Sequence, residues 1–160
     1  SYKGNRTFYT SLGHADDFAN PNFHKLVTNA IAWCLSADAR PGAIAIAANY
    51  GIEPGEPLRV GVALFEKMWR DNKLTLLDVR TTSEYRAGHL PETKWIDWFS
   101  TTFADEAAKL DKDKFYLVYC AGGVRSARAC KKMSGMGFKY LVDLAPGFKG
   151  WKAAGKAIEK

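Results

Sequence analysis

No apolar run in this sequence approaches the roughly 18 residues that a membrane span needs, so no membrane association is expected. Cysteine and histidine are scarce. The three cysteines, Cys34, Cys120 and Cys130, are an odd number without CxxC or zinc-ligand spacing, which argues against a disulfide framework. The three histidines, His14, His24 and His89, lack HExxH-like spacing, so neither a metal site nor a cofactor is expected. No signal peptide is recognisable. The chain opens at Ser1 rather than Met, as a processed or truncated chain would; the expectation is a cytoplasmic protein, or a periplasmic one if a signal has been removed.

Basic clusters are lacking too. The net charge is +6, but Lys131-Lys132 is the only adjacent basic pair and no basic–aromatic groove pattern appears. Nucleic acid is therefore not an expected partner. A diffuse positive field favours small anionic substrates instead. A composition 47% hydrophobic and 25% charged excludes a disordered chain. At 160 residues, one compact domain plus an appendage is the natural organisation.

The most informative stretch is Tyr116-Leu117-Val118-Tyr119-Cys120-Ala121-Gly122-Gly123-Val124-Arg125-Ser126. A short apolar run ending in small residues predicts a buried strand of a parallel sheet. A glycine-rich turn follows, and Ser126 is placed to cap a helix from Ala127 to about Met136. Such a turn directs backbone N–H groups inward, and a helix dipole adds positive charge at the same spot. A thiol held there loses its proton more readily than a free cysteine. Cys120 is thus the candidate nucleophile. Cys130, with Ala127, Ala129 and Met133, fits a packed helix face.

The rest of the chain sorts into three parts. In residues 1–35, Arg6–Thr10 predicts a strand, and Asn20-Pro21 starts a helix whose apolar stripe includes Cys34. Residues 36–57, punctuated by Pro41-Gly42, Gly51 and Pro54-Gly55, predict a linker containing a short apolar element at Ala43–Ala48. Residues 58–160 alternate strands and helices. Helices are predicted at Val62–Asn72, Phe103–Leu110 and Phe148–Ala154, and strands at Leu74–Val79 and Tyr140–Leu144. Thr82 or Ser83 is expected to cap a single helical turn that Gly88 ends. This alternation predicts an α/β fold with a parallel sheet covered by helices on both faces. Sites in such folds lie beyond the carboxyl ends of strands, where Cys120 sits.

Several motifs then occur in order: Leu76-Leu77-Asp78-Val79-Arg80, Glu84-Tyr85-Arg86-Ala87-Gly88-His89-Leu90-Pro91, the Cys120 loop, and Gly147-Phe148-Lys149-Gly150-Trp151. Through them, residues from about 58 to 158 resemble the single-domain sulfurtransferases of the rhodanese type. The sequence departs from that pattern at Glu92-Thr93, usually a small Gly-Ala pair, and at Pro146, usually a second glycine. The resemblance implies that the Cys120 thiolate takes the outer sulfur of a small anionic donor such as thiosulfate. The resulting persulfide would then pass its sulfur to a thiol or cyanide acceptor. Ala121, Gly122, Gly123, Val124, Arg125 and Ser126 would bind the donor and the persulfide, with Arg125 supplying charge and Arg86 at the site mouth. Asp78 and Arg80 would position strand and loop. Related phosphatases and arsenate reductases need an arginine six positions after the cysteine; Ser126 stands there. The remaining alternative is a regulatory or sulfur-carrying binding module with the same fold.

Residues 1–35 separately resemble the C-terminal end of a ThuA-like domain, through Phe8-Tyr9-Thr10-Ser11-Leu12-Gly13-His14, Phe18, Pro21, Phe23 and Asn29–Trp33. The resemblance implies a strand–helix remnant of a larger fusion, docking on the second domain or on another chain.

Overall fold

A computed structural model describes residue 27 and residues 41–160. The strand, helix, Cys34 and ThuA-like motifs read in residues 1–35 lie outside the described residues. The chain divides into two compact units, residues 1–51 and 52–160. In the first, helix α1 spans Pro41–Tyr50. It occupies half of the stretch read as a linker, so the apolar element expected at Ala43–Ala48 is a full helix with Pro41 at its first position.

The second unit runs β1 (Leu58–Val60), α2 (Val62–Asn72), β2 (Thr75–Asp78), α3 (Thr82–Arg86), β3 (Lys94–Trp95), α4 (Phe103–Ala108), β4 (Phe115–Tyr119), α5 (Val124–Gly135), β5 (Tyr140–Leu144) and α6 (Gly147–Ala153). Its five strands form one sheet in the order β1-β5-β4-β2-β3. Every pairing is parallel. Every residue of β4 and of β5 is buried, as expected for central strands covered on both faces. The edge strands β1 and β3 are too short, at three and two residues, to carry a period-2 signal, and neither was legible as a strand in the sequence.

Side chains alternate along β4 and divide the core. Tyr116 and Val118 join Phe103 and Ala107 of α4 and Ala129, Cys130 and Met133 of α5 in one buried cluster, and Cys120 continues that face. On α2 and α6, Phe65 and Trp69 each meet Trp151 edge-on at 6.2 Å between ring centroids. That geometry adds to the area these large rings remove from water.

Three places differ locally from expectation. The cap of α3 is Thr81, not Thr82 or Ser83: its hydroxyl accepts from the Glu84 N–H while the Glu84 carboxylate accepts from the Thr81 N–H. This reciprocal capping box satisfies two helix-end donors at once, and its T-x-x-E signature was present in the sequence. The other two differences fall on the departures from the family pattern. Glu92 sits at φ 54°, the left-handed region that a glycine would occupy more easily. Pro146 leaves so little room that a Cβ on Gly150 would stand 2.3 Å from the proline Cβ, so the two residues fit as a pair.

Candidate active site

The site is built where β4 ends and α5 begins. Ser126 does not cap α5. The helix starts three residues earlier than expected, at Val124, with Gly123 in the cap position at φ 84°. The turn closes more tightly than the sequence suggested because Gly123 adopts this left-handed conformation, in which a Cβ would fall 1.8 Å from the Ala145 carbonyl oxygen. Ser126 thereby moves into the first turn of the helix, with its hydroxyl free to face the cysteine.

Cys120 Sγ accepts hydrogen bonds from the Gly123 N–H at 3.2 Å and from the Ser126 hydroxyl at 3.4 Å. Burial of the thiol opposes its ionisation. The Ser126 hydroxyl and the N–H groups of Ser126, Gly122 and Gly123 outweigh that effect and bring the pKa below the ordinary thiol value. The helix dipole acts in the same direction. Cys130, as deeply buried on the next turns of α5, has no such donors, and burial pushes its pKa far up.

The loop is anchored from beneath. The start of α6 clips onto it: the Phe148 N–H donates to the Cys120 carbonyl at 2.7 Å and the Lys149 N–H to the Ala121 carbonyl at 3.0 Å. This approach requires Gly147, at φ 58°, where a Cβ would stand 2.6 Å from the Cys120 carbonyl oxygen. From β1, Arg59 Nη1 reaches the Gly123 carbonyl at 3.1 Å and Asp143 Oδ2 at 2.7 Å, and Nη2 reaches the Ala145 carbonyl at 3.2 Å. Arg59, Cys130 and Asp143 line a pocket of about 450 Å³ that also includes Gly55, Glu56 and Pro57.

The Asp78–Arg80 pair forms a second support. Arg80 Nε donates to both oxygens of Asp78, at 3.0 and 2.9 Å, Nη2 donates to Oδ2 at 2.6 Å, and both residues are almost fully buried. Arg80 Nη2 also holds the Gly88 carbonyl at 2.8 Å, and its guanidinium lies 4.0 Å from the centroid of Phe148. A buried ion pair repays its desolvation only with such complete hydrogen bonding. His89 is a structural residue here: its Nδ1 sits 3.2 Å from the Tyr85 carbonyl and its ring stacks on Tyr85.

Of the other residues expected at the site, Gly123 and Ser126 are buried, Gly122 and Val124 exposed, and Ala121 and Arg125 intermediate. Arg125 is not a free cation. Its two terminal nitrogens donate to the two oxygens of Glu84, each at 2.7 Å. This bidentate pair, with the Thr81 hydrogen bonds, holds the Glu84 carboxyl down to about 2 despite partial burial. Arg86 lies exposed on α3, on the same helix as Glu84. The sequence reading missed Arg59, Asp143 and the clamp by Glu84. Asp143 carried a signal, as a lone acid inside the apolar strand Tyr140–Leu144.

Comparisons with known proteins agree with this architecture. A model of the Rhodanese-like domain matches residues 62–154. The putative sulfurtransferase YtwF of Bacillus subtilis is 35% identical over 94 residues, covering 59% of this chain and 88% of YtwF. The thiosulfate sulfurtransferase GlpE of Pseudomonas savastanoi pv. phaseolicola is 32% identical over 84 residues, covering 52% of this chain and 77% of GlpE. A crystal structure of a rhodanese-like domain protein from Staphylococcus aureus superposes with TM-score 0.52 at 28% identity, covering 59% of this chain and 90% of that one. With the family match spanning more than half of the chain and the sheet order, cysteine turn and helix start all in place, the chain belongs to the rhodanese-like domain family.

Proposed function

We propose that the protein is a sulfurtransferase that carries sulfur as a Cys120 persulfide, with thiosulfate or a similar anion as donor. The observation that carries this reading is a strand-end thiol whose sulfur accepts hydrogen bonds from the Gly123 N–H and the Ser126 hydroxyl at the start of a helix, an arrangement that favours the thiolate. The thiolate attacks the outer sulfur of the donor. The S–S bond of thiosulfate breaks, sulfite leaves with the electron pair, and a persulfide anion remains among the same donors. A thiol or cyanide then attacks the terminal sulfur and releases the Cys120 thiolate. Arg125 meets the donor only in competition with Glu84, and Arg86 adds positive charge at the mouth. The test is thiocyanate formation from thiosulfate and cyanide. Turnover that disappears in Cys120→Ser supports the proposal; rapid hydrolysis of an aryl phosphate without any thiocyanate contradicts it.

The depth of the thiol favours a second reading. Cys120 is only 1% exposed. A sulfur-carrier or regulatory module, whose thiol meets sulfur only when a partner opens the loop, would look the same. Persulfide formation without small-molecule turnover would distinguish it.

A further inference from the structure

Asp143 stands out among the buried polar groups that the sulfur chemistry above does not use. Its Oδ2 is bound by Arg59, but Oδ1 is buried without a hydrogen-bond partner, alone in this among the described side chains. A buried acceptor left without a hydrogen bond is destabilising, so its retention calls for a reason. The Ser126 hydroxyl lies close enough to stabilise the carboxylate. That hydroxyl has a single proton, which it can give either to Cys120 Sγ, 3.4 Å away, or to Asp143, but not to both at once.

Counting protons shows two arrangements of these three groups that leave nothing unsatisfied. In one, the Cys120 thiol donates to Ser126 Oγ and Ser126 donates to an ionised Asp143. In the other, a protonated Asp143 donates to Ser126 Oγ and Ser126 donates to a Cys120 thiolate. The Ser126 hydroxyl is within reach of both Cys120 Sγ and the Asp143 carboxylate, so it can serve in either arrangement. We infer that Asp143 is a positioning residue for Cys120, taking up the thiol proton through Ser126. The inference rests on Cys120 being the working thiol, as proposed above.

The step balances. The Cys120 S–H bond breaks and its proton goes to Ser126 Oγ. The Ser126 proton passes to Asp143 Oδ1. A thiol and a carboxylate become a thiolate and a carboxylic acid, with total charge unchanged. The surroundings of Asp143 suit a proton acceptor. Burial raises its pKa, opposed by Ser126 from α5 and by Arg59 from β1. The other titratable groups facing this region are the neutral Cys130 thiol, whose pKa Asp143 itself raises, and Lys131 and Glu56 at the pocket wall. Arg59 fixes Oδ2 and leaves only Oδ1 to turn toward the hydroxyl.

Because the proton stays within the pair, Cys120 and Asp143 titrate together. The alkylation rate of Cys120 against pH then shows two steps separated by a plateau. Asp143→Asn keeps an oxygen for Arg59 and offers an amide N–H to Ser126, mimicking the protonated acid; its profile collapses to one step. The second readout uses the unaltered protein: infrared difference spectra on alkylation of Cys120 at the plateau pH show a carboxylic-acid band lost and carboxylate bands gained. Those bands are absent in Asp143→Asn and in Ser126→Ala. A one-step profile in the unaltered protein, two steps persisting in Asp143→Asn, or no carboxyl change on alkylation would each overturn the inference. None of these readouts requires sulfur transfer. A protein that loads sulfur with a one-step profile contradicts only the relay, and one that shows the relay but takes no sulfur contradicts only the proposed function.

Discussion

Cys120 and Cys130 lie ten positions apart and are equally buried, each 1% exposed. Their thiols are nevertheless driven in opposite directions, Cys120 below and Cys130 far above the ordinary value. Burial cannot be the cause of the difference, since it raises both. The difference lies in donors. Cys120 ends a strand at a turn whose N–H groups have no helical partners, whereas Cys130 sits inside α5 with its backbone already bonded. A thiol is activated here by occupying the place where a helix has donors to spare, and an identical side chain about two turns into that helix becomes packing.

The largest break in this comparison is to remove the sulfur. Cys120→Ser is expected to abolish sulfur loading and thiocyanate formation, while Cys130→Ala keeps loading at the cost of a small core cavity, about 1 kcal/mol in denaturant unfolding. Next is the turn itself. In Gly123→Ala the new Cβ collides with the Ala145 carbonyl in a left-handed conformation. The expected loss is about 2–4 kcal/mol of stability, read in chemical denaturation, with Cys120 alkylation at neutral pH slowed toward the rate of an unactivated thiol. A gentler change is Ser126→Ala, which deletes one donor to the thiolate. Its expected cost is about 1 kcal/mol: with the link to Asp143 also gone, alkylation follows a single step whose midpoint lies roughly one unit higher than the lower step of the unaltered protein, with Cys130 unaffected.

The smallest effect concerns the clamp on Arg125. The Glu84 carboxyl is depressed to about 2, chiefly by Arg125, so its folded-state pKa lies below its unfolded value near 4.3. Its stabilisation is therefore fully present above that unfolded value and is lost as pH falls through about 2. Glu84→Gln should flatten the stability curve in that acid window. With the pair partly solvated, the change at neutral pH should stay near or below about 1 kcal/mol. If donor binding proceeds by exchange with Glu84, the same variant lowers the KM for thiosulfate.

Much of this was legible in the sequence because it rests on local pattern. The apolar run of β4, the run of β5 broken only by Asp143, and the stripe of α2 specify the sheet and its cover without reference to distant residues. The glycine pair after Cys120 specified a turn with inward N–H groups. What could not be read depended on where other strands fall. Arg59 and Asp143 are 84 positions apart, and only the parallel pairing of β1 with β5, which sets Arg59 opposite Asp143, brings them under the loop. The misplaced cap has a similar origin: a serine after a glycine turn is a good cap by propensity, but the left-handed Gly123 starts the helix early, under the carbonyl of Ala145. The pairing of Arg125 with Glu84 joins α5 to α3 across 41 positions and likewise had no local signal.

The comparison between the two cysteines is tested most directly by mapping sulfur onto them. After treatment with thiosulfate and removal of excess donor, peptide mass spectrometry should find one added sulfur, about 32 Da, on Cys120 and none on Cys130, with the addition absent from Cys120→Ser. Sulfur on Cys130, or an unmodified Cys120 in folded protein, would contradict the account.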